Sequence, residues 1–181
     1  MLNAQRVALC RALFPGGAYV HFGPHYQLGP DAVGRLDQRY RSVRTLTDGN
    51  CFFRSISFWL TGSGDNHVLL RKLVTDYISQ HRQGFMRFFG IRDMDAYLAN
   101  MRTLTIWATD VEVGAVSNMF NCPVWTYSPY SRSRVNNVVL SWRWGCTKPN
   151  HWLRAPPLVP FSDRGLYMDN VHDHYEPVTR I

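Results

Sequence analysis

An α/β (α+β) domain, a small mixed β-sheet packed between helices, is what this sequence predicts, and three observations carry the prediction. Apolar residues recur at three- and four-residue spacing after residues 51, 69, 93 and 110, which marks one-sided helices. Short runs rich in β-branched and aromatic residues fall at 122–127, 135–142, 166–171 and 174–178, and such runs read as strands. The chain has 181 residues, 45% of them hydrophobic and 14% aromatic, enough for one domain with a sizeable core. Helices and strands mixed along one chain pack as helices layered on a sheet. No internal repeat, low-complexity tract or second-domain linker interrupts the pattern.

Each element has its own local reason. Ala4–Phe14 predicts a short helix ended by Pro15-Gly16-Gly17, residues that cannot continue one. Residues 18–35, rich in Gly, Pro and His, read as a loop or extended arm that covers the core, touches a partner or is a poorly ordered leader. Residues 1–35 are therefore set apart as an N-terminal extension or arm, and 36–181 as the domain proper. Tyr40–Leu46 is expected to be extended. From Cys51, the residues Phe52, Phe53, Ile56, Trp59 and Leu60 give a helix with one apolar face, stopped at Thr61-Gly62-Ser63-Gly64. Asp65 or Asn66 is the expected cap of a helix carrying Leu69, Leu70, Leu73, Val74, Tyr77 and Ile78. Phe85, Met86, Phe88 and Phe89 follow without a definite assignment. Asp93 is the cap of a further helix bearing Met94, Tyr97, Leu98 and Met101. Thr103–Ile106 leads into Trp107, and Val111, Ala115, Val116, Met119 and Phe120 mark another helix. Cys122–Tyr127 is expected as a central strand with Cys122 in the core, Val135–Trp142 as a second, and two more lie before and at His174.

The chemistry is concentrated in Asp48-Gly49-Asn50-Cys51-Phe52-Phe53-Arg54. A tight polar turn delivers a cysteine to a helix start, where unpaired backbone N–H groups and the helix dipole favour an anion. A thiol so placed is expected to have a lowered pKa. Gly49 permits the geometry of a sharp turn, and the N–H groups of Asp48–Asn50 and Cys51 are candidate oxyanion donors. The competing reading is a buried cysteine acting as a small hydrophobe. A cysteine nucleophile also needs a base. His174 lies on a short extended run after the strand Leu166–Val171, with Glu176 two positions on. Residues two apart on a strand share a face, so Glu176 is placed to orient the imidazole.

In order along the chain, the Asp48–Arg54 motif, Trp107 with Asp110-Val111-Glu112 after it, and His174-Tyr175 resemble the ovarian tumour (OTU) family of papain-like deubiquitinating cysteine proteases, over about residues 36–181. The resemblance implies a papain-like OTU fold, no cofactor, and hydrolysis of isopeptide or peptide bonds at the C-terminal glycine of ubiquitin or polyubiquitin through a thioester. Alternatives are a protease for another ubiquitin-like modifier and a catalytically silent ubiquitin-binding domain. Cys51 would be the nucleophile and His174 the base. The family often has Asp or Asn two residues after the histidine, where this chain has Glu176, so Asp48 is a rival for the third role and Asn170 a further supporting candidate. Gly49 and Asn50 would shape the oxyanion turn, and Trp107 would lie near the cleft for a narrow Gly-Gly tail. Because ubiquitin's tail carries arginines, carboxylates such as Glu112 or Asp110 are candidates to line its path.

Composition weighs against other functions. A net charge of +7 can attract polyanions, and arginines with aromatics interleave around residues 125–148 (Trp125, Tyr127, Tyr130, Arg132, Arg134, Trp142, Arg143, Trp144, Lys148). No nucleic-acid-binding fingerprint accompanies them, so nucleic acid is not the expected partner. Cys146, His151, His172 and His174 lack the paired close spacing of structural zinc sites, and no metal is expected. No apolar run approaches a membrane span, and residues 1–10 lack the basic start and long apolar core of a signal peptide. Four widely spaced cysteines without a CxxC fit a reducing compartment, cytoplasmic or nuclear.

Overall fold

The computed structural model describes residues 3–16, 41–128, 133–135, 138–140, 143–171 and 174–180. Six α-helices are described: α1 (Asn3–Leu13), α2 (Cys51–Thr61), α3 (His67–Gln80), α4 (Arg82–Phe89), α5 (Met94–Arg102) and α6 (Asp110–Phe120). The strands are β1 (Arg41–Ser42), β2 (Val124–Ser128), β3 (Ser133–Val135), β4 (Val138–Leu140), β5 (Arg143–Thr147), β6 (Leu166–Val171) and β7 (His174–Arg180). The main sheet has the order β1-β7-β6-β2-β5. Its β2–β6 pair is parallel and the others antiparallel, a mixed sheet as the sequence predicts.

Local chemistry accounts for several helix ends. Gly62 takes the left-handed conformation after α2, with φ 76° and its N–H donating to the Phe58 carbonyl, a common helix stop because glycine has no Cβ to clash. Asp93 accepts from the Ala96 N–H at 2.9 Å and caps α5. Thr109 and Glu112 form a capping box at the start of α6. Ser63 caps the short 3-10 turn Gly64–Asn66, and the Asn66 side chain makes no cap bond to α3. The expected Asp65 or Asn66 cap is thereby replaced, because the chain enters α3 through that turn. The unassigned Phe85–Phe89 segment belongs to α4.

Two expectations are corrected. The central strand is β6, with β2 beside it, because β5 adds outside β2. The single strand expected over 135–142 is β3 and β4, an antiparallel pair in a separate sheet; Trp142 lies outside the described residues, as does the arm 18–35. The expected first helix is α1, and it is docked on the body: Leu9 and Leu13 are buried, Gln5 donates to the Phe120 carbonyl, and Arg6 Nη1 donates to the Leu60 carbonyl.

Helix α2 lies over the sheet at the centre of the core. Phe52, Phe53, Ile56, Trp59 and Leu60 are buried, the Phe52 ring meets the Tyr175 ring edge-on at 5.2 Å, and Trp59 Nε1 donates to the Tyr167 carbonyl at 2.9 Å. Those contacts fix the helix, and therefore its first residue, against β7.

Candidate active site

Cys51 begins α2 and is 1% exposed. Its surroundings follow from the shortness of β1. That strand pairs with β7 only as far as Ser42, and Val43 N donates the last bond to the Pro177 carbonyl. Past that point Tyr175 still needs partners for its backbone groups. Its N–H donates to Cys51 Sγ at 3.4 Å. Its carbonyl accepts from Thr45 Oγ1 at 2.7 Å and from Ser55 Oγ at 3.2 Å. The thiol of Cys51 therefore occupies the edge of β7 where a neighbouring strand would lie, one residue from His174.

The two ring nitrogens of His174 have different surroundings. Nε2 lies 3.5 Å from Glu176 Oε1 and 3.4 Å from Thr45 Oγ1. Thr45 gives its only proton to Tyr175, so its oxygen is an acceptor toward the ring. Two acceptors at Nε2 assign the proton there. Nδ1 is buried and makes no hydrogen bond among the described residues, which leaves its lone pair available as a base.

Asp48 has different partners. It accepts from Arg54 Nη2 at 2.7 Å and from the Asn50 N–H at 3.0 Å. Burial opposes its charge, but these bonds and the Arg54 cation hold its carboxyl well below the usual range. Asn170 faces Tyr175 in the β6–β7 register, with Val171 opposite His174 and Asp169 opposite Glu176. Alternation puts Asn170 on the other face of the sheet from His174 and Glu176, so its expected support of the histidine is corrected. The Asn50 N–H, expected as an oxyanion donor, is engaged by Asp48.

The expected lowering of the Cys51 pKa is also corrected. Burial pushes the thiol up, against the N–H groups of Tyr175, Phe52 and Cys51 itself, and the Asp48 charge adds to the rise. A helix start favours the thiolate, but desolvation outweighs it here. Glu112, expected as a substrate-facing carboxylate, is fully buried. It accepts from the Thr109 N–H and hydroxyl and from the Tyr97 hydroxyl. Asp110 is exposed at the start of α6.

Gly49 is required by its surroundings. Its φ is +76°, and a Cβ there would sit 1.8 Å from the Thr105 carbonyl oxygen. The turn before Cys51 is thus pressed against the loop that leads to Trp107, which is 42% exposed. Leu46 and Leu104 are also exposed in the segments that meet at this turn. Thr45 and Arg71 were not anticipated. Thr45 carries no local signal. Arg71 stands three and seven residues before Val74 and Ile78 on the apolar stripe of α3, and a cation on such a stripe is the signal that could have found it.

Among the described residues, no group of three or more His, Cys, Asp or Glu side chains is placed to hold a metal; His172 lies outside them. No helix among them is long and apolar enough to cross a membrane.

The chain is similar to known proteins in sequence and in fold. The chain is 31% identical over 106 residues to the OVARIAN TUMOR DOMAIN-containing deubiquitinating enzyme 6 of Arabidopsis thaliana, covering 59% of this chain and 21% of that protein. It is 30% identical over 91 residues to OTU domain-containing protein 2 of Saccharomyces cerevisiae, covering 42% of this chain and 30% of the relative. The chain thus spans less than a third of the length of these relatives. Its fold is similar to the viral OTU domain protease of Dera Ghazi Khan virus, with TM-score 0.56, 19% identity and coverage of 78% and 81% of the two chains. The Hazara virus OTU bound to ubiquitin is similar at TM-score 0.54 and 13% identity, covering 78% and 82%. A family model, OTU-like cysteine protease, matches residues 46–172, well over half the chain, and on that match the chain belongs to the OTU-like cysteine protease family.

Proposed function

We propose that this chain is a cysteine-type deubiquitinase in which Cys51 is the nucleophile, His174 the general base and acid, and Glu176 the group that orients the imidazole. The observation that carries this reading is the junction at β7. The Cys51 sulfur sits on the Tyr175 N–H, one residue from an imidazole whose Nε2 faces a carboxylate and whose Nδ1 has no hydrogen-bond partner among the described residues. Asp48, tied to Arg54 and the Asn50 N–H, is a support of the turn.

The reaction then runs in two steps. His174 Nδ1 takes the proton of the Cys51 thiol as sulfur attacks the carbonyl of the terminal glycine. Charge on that oxygen is met by the Cys51 N–H at the helix start. Collapse transfers the His174 proton to the departing lysine amine and leaves a thioester. Water, losing its proton to His174, attacks the thioester; the carboxylate departs and the proton returns to sulfur. A thiol held protonated by burial makes the base indispensable, because the pair must form the thiolate when the substrate is in place. Trp107 is assigned to the wall of the cleft, and no metal or cofactor takes part. Ubiquitin as partner is supported by a similar viral domain whose structure is described as bound to ubiquitin. The proposed setting is the reducing cytoplasm or nucleus, which suits four free cysteines.

The test is reaction with a ubiquitin C-terminal electrophile, wild type against Cys51→Ala, read by intact mass. One adduct that disappears in the variant is expected. An adduct that persists, or labelling by a different ubiquitin-like probe alone, would overturn the assignment.

A further inference from the structure

Arg71 is 1% exposed, yet it is a cation in the core. Its Nη1 donates to the Met101 carbonyl at 2.8 Å. Its Nη2 reaches the Gly49 carbonyl at 3.0 Å, Asn50 Oδ1 at 2.9 Å and the Ile106 carbonyl at 2.8 Å. The guanidinium lies over the Phe53 ring at 4.3 Å. One side chain of α3 therefore binds the turn before Cys51, the end of α5 and the loop before Trp107.

The consequence for the turn is specific. The Gly49–Asn50 peptide lies one unit before the Asn50–Cys51 peptide, which carries the Cys51 N–H. Its carbonyl is held by Arg71 and its N–H by Asp48 Oδ1, so the plane is fixed at both ends. The Asn50 side chain, instead of capping α2, accepts from Arg71 and from the Thr105 N–H at 3.3 Å. Thr105 is held at φ +75°, a strained conformation for a non-glycine residue that persists only where the surroundings over-determine it.

We propose that Arg71 is a positioning residue of the reaction: it locks the Gly49–Asn50 peptide, the Asn50 side chain and the loop carrying Trp107 into one frame, so that the Cys51 N–H and sulfur, one residue on, meet the substrate carbonyl in register. A planar guanidinium is suited to this because its two Nη groups reach separate acceptors at fixed angles; lysine keeps the charge but only one donor centre. The proposal rests on the reading of Cys51 as nucleophile.

A buried arginine that merely stabilised the fold would affect every property of Cys51 together. Alkylation by iodoacetamide separates the cases, since that displacement develops no oxyanion. Wild type, Arg71→Lys and Arg71→Met are compared for kcat and KM on ubiquitin bearing a C-terminal fluorogenic amide, for Cys51 alkylation rate, and for Tm. In Arg71→Lys, kcat is expected to fall about 10²-fold, the scale of a small misplacement of reacting groups, with a smaller change in KM. Its alkylation rate should stay within about twofold, since the sulfur keeps its place on β7 and only carbonyl capture needs the turn. Arg71→Met should lose at least as much; if it does not fold, Arg71→Lys carries the test. Wild-type kcat in Arg71→Lys, or kcat and alkylation falling in parallel, would overturn the positioning role while leaving the hydrolase reading intact. An inert wild type would instead overturn the hydrolase reading, and this proposal with it.

Discussion

At the residue scale, two carboxylates near one thiol have different work. Glu176 Oε1 is 3.5 Å from His174 Nε2, whereas Asp48 is neutralised by Arg54 at 2.7 Å. Glu176→Gln keeps an acceptor beside the ring but removes the charge that steadies an imidazolium. Its kcat should fall by at least about tenfold, less than the roughly 10²–10⁴-fold that a positioned acid–base group itself contributes. Asp48→Asn should act on stability. The folded-state pKa of Asp48 is depressed, so its contribution is fully present above the ordinary carboxylate value of about 3.9 and is lost as pH falls below it. Near neutral pH the variant should melt about 2–4 °C lower, the shift that 1 kcal/mol gives a domain of this size. That gap should close as the pH is lowered from about 5 to 2, through and below the ordinary carboxylate range. Melting curves across that range check it, and a gap independent of pH would show that Asp48 does not carry this charge-dependent support.

At the scale of elements, the site exists because one strand stops early. Had β1 continued beyond Ser42, Tyr175 would be paired and the start of α2 could not reach β7. Instead the Tyr175 N–H and carbonyl are taken by Cys51, Thr45 and Ser55. The loop on the other side of the turn is anchored by the start of α6, where Thr109 and Glu112 satisfy each other's backbone groups. Removing that cap with Thr109→Ala should cost about 1 kcal/mol, read as the midpoint of urea unfolding. The cost should be larger than for an ordinary exposed threonine, because Thr109 also bonds the buried Glu112 carboxylate, whose charge burial opposes.

On the scale of the whole molecule, α1 is part of the same core as the site. Leu9 is fully buried, and the helix is tied to α2 through Arg6 and to the end of α6 through Gln5. Leu9→Ala should cost about 2–5 kcal/mol, the range for such a truncation in a packed core. If denaturant unfolding of that variant matches wild type, α1 is not integral to the domain.

The sequence by itself determined most of the helices and pointed to the pair proposed to react. Apolar spacing drew α2, α3, α5 and α6, Asp93 marked a cap, and Cys51, His174 and Glu176 stood in short local patterns that needed no partner to be read. Only the tertiary structure decided the state of the thiol, because a helix start is visible in the chain but the burial that overrides it is not. Folding alone brings Arg71 to Gly49 and Thr45 to Tyr175, 22 and 130 residues away. It likewise gave the two carboxylates different partners: Asp48 is held by Arg54, and Glu176 lies beside His174. Local periodicity is written in neighbouring residues, whereas desolvation and hydrogen-bond partnership depend on what the rest of the chain packs beside them.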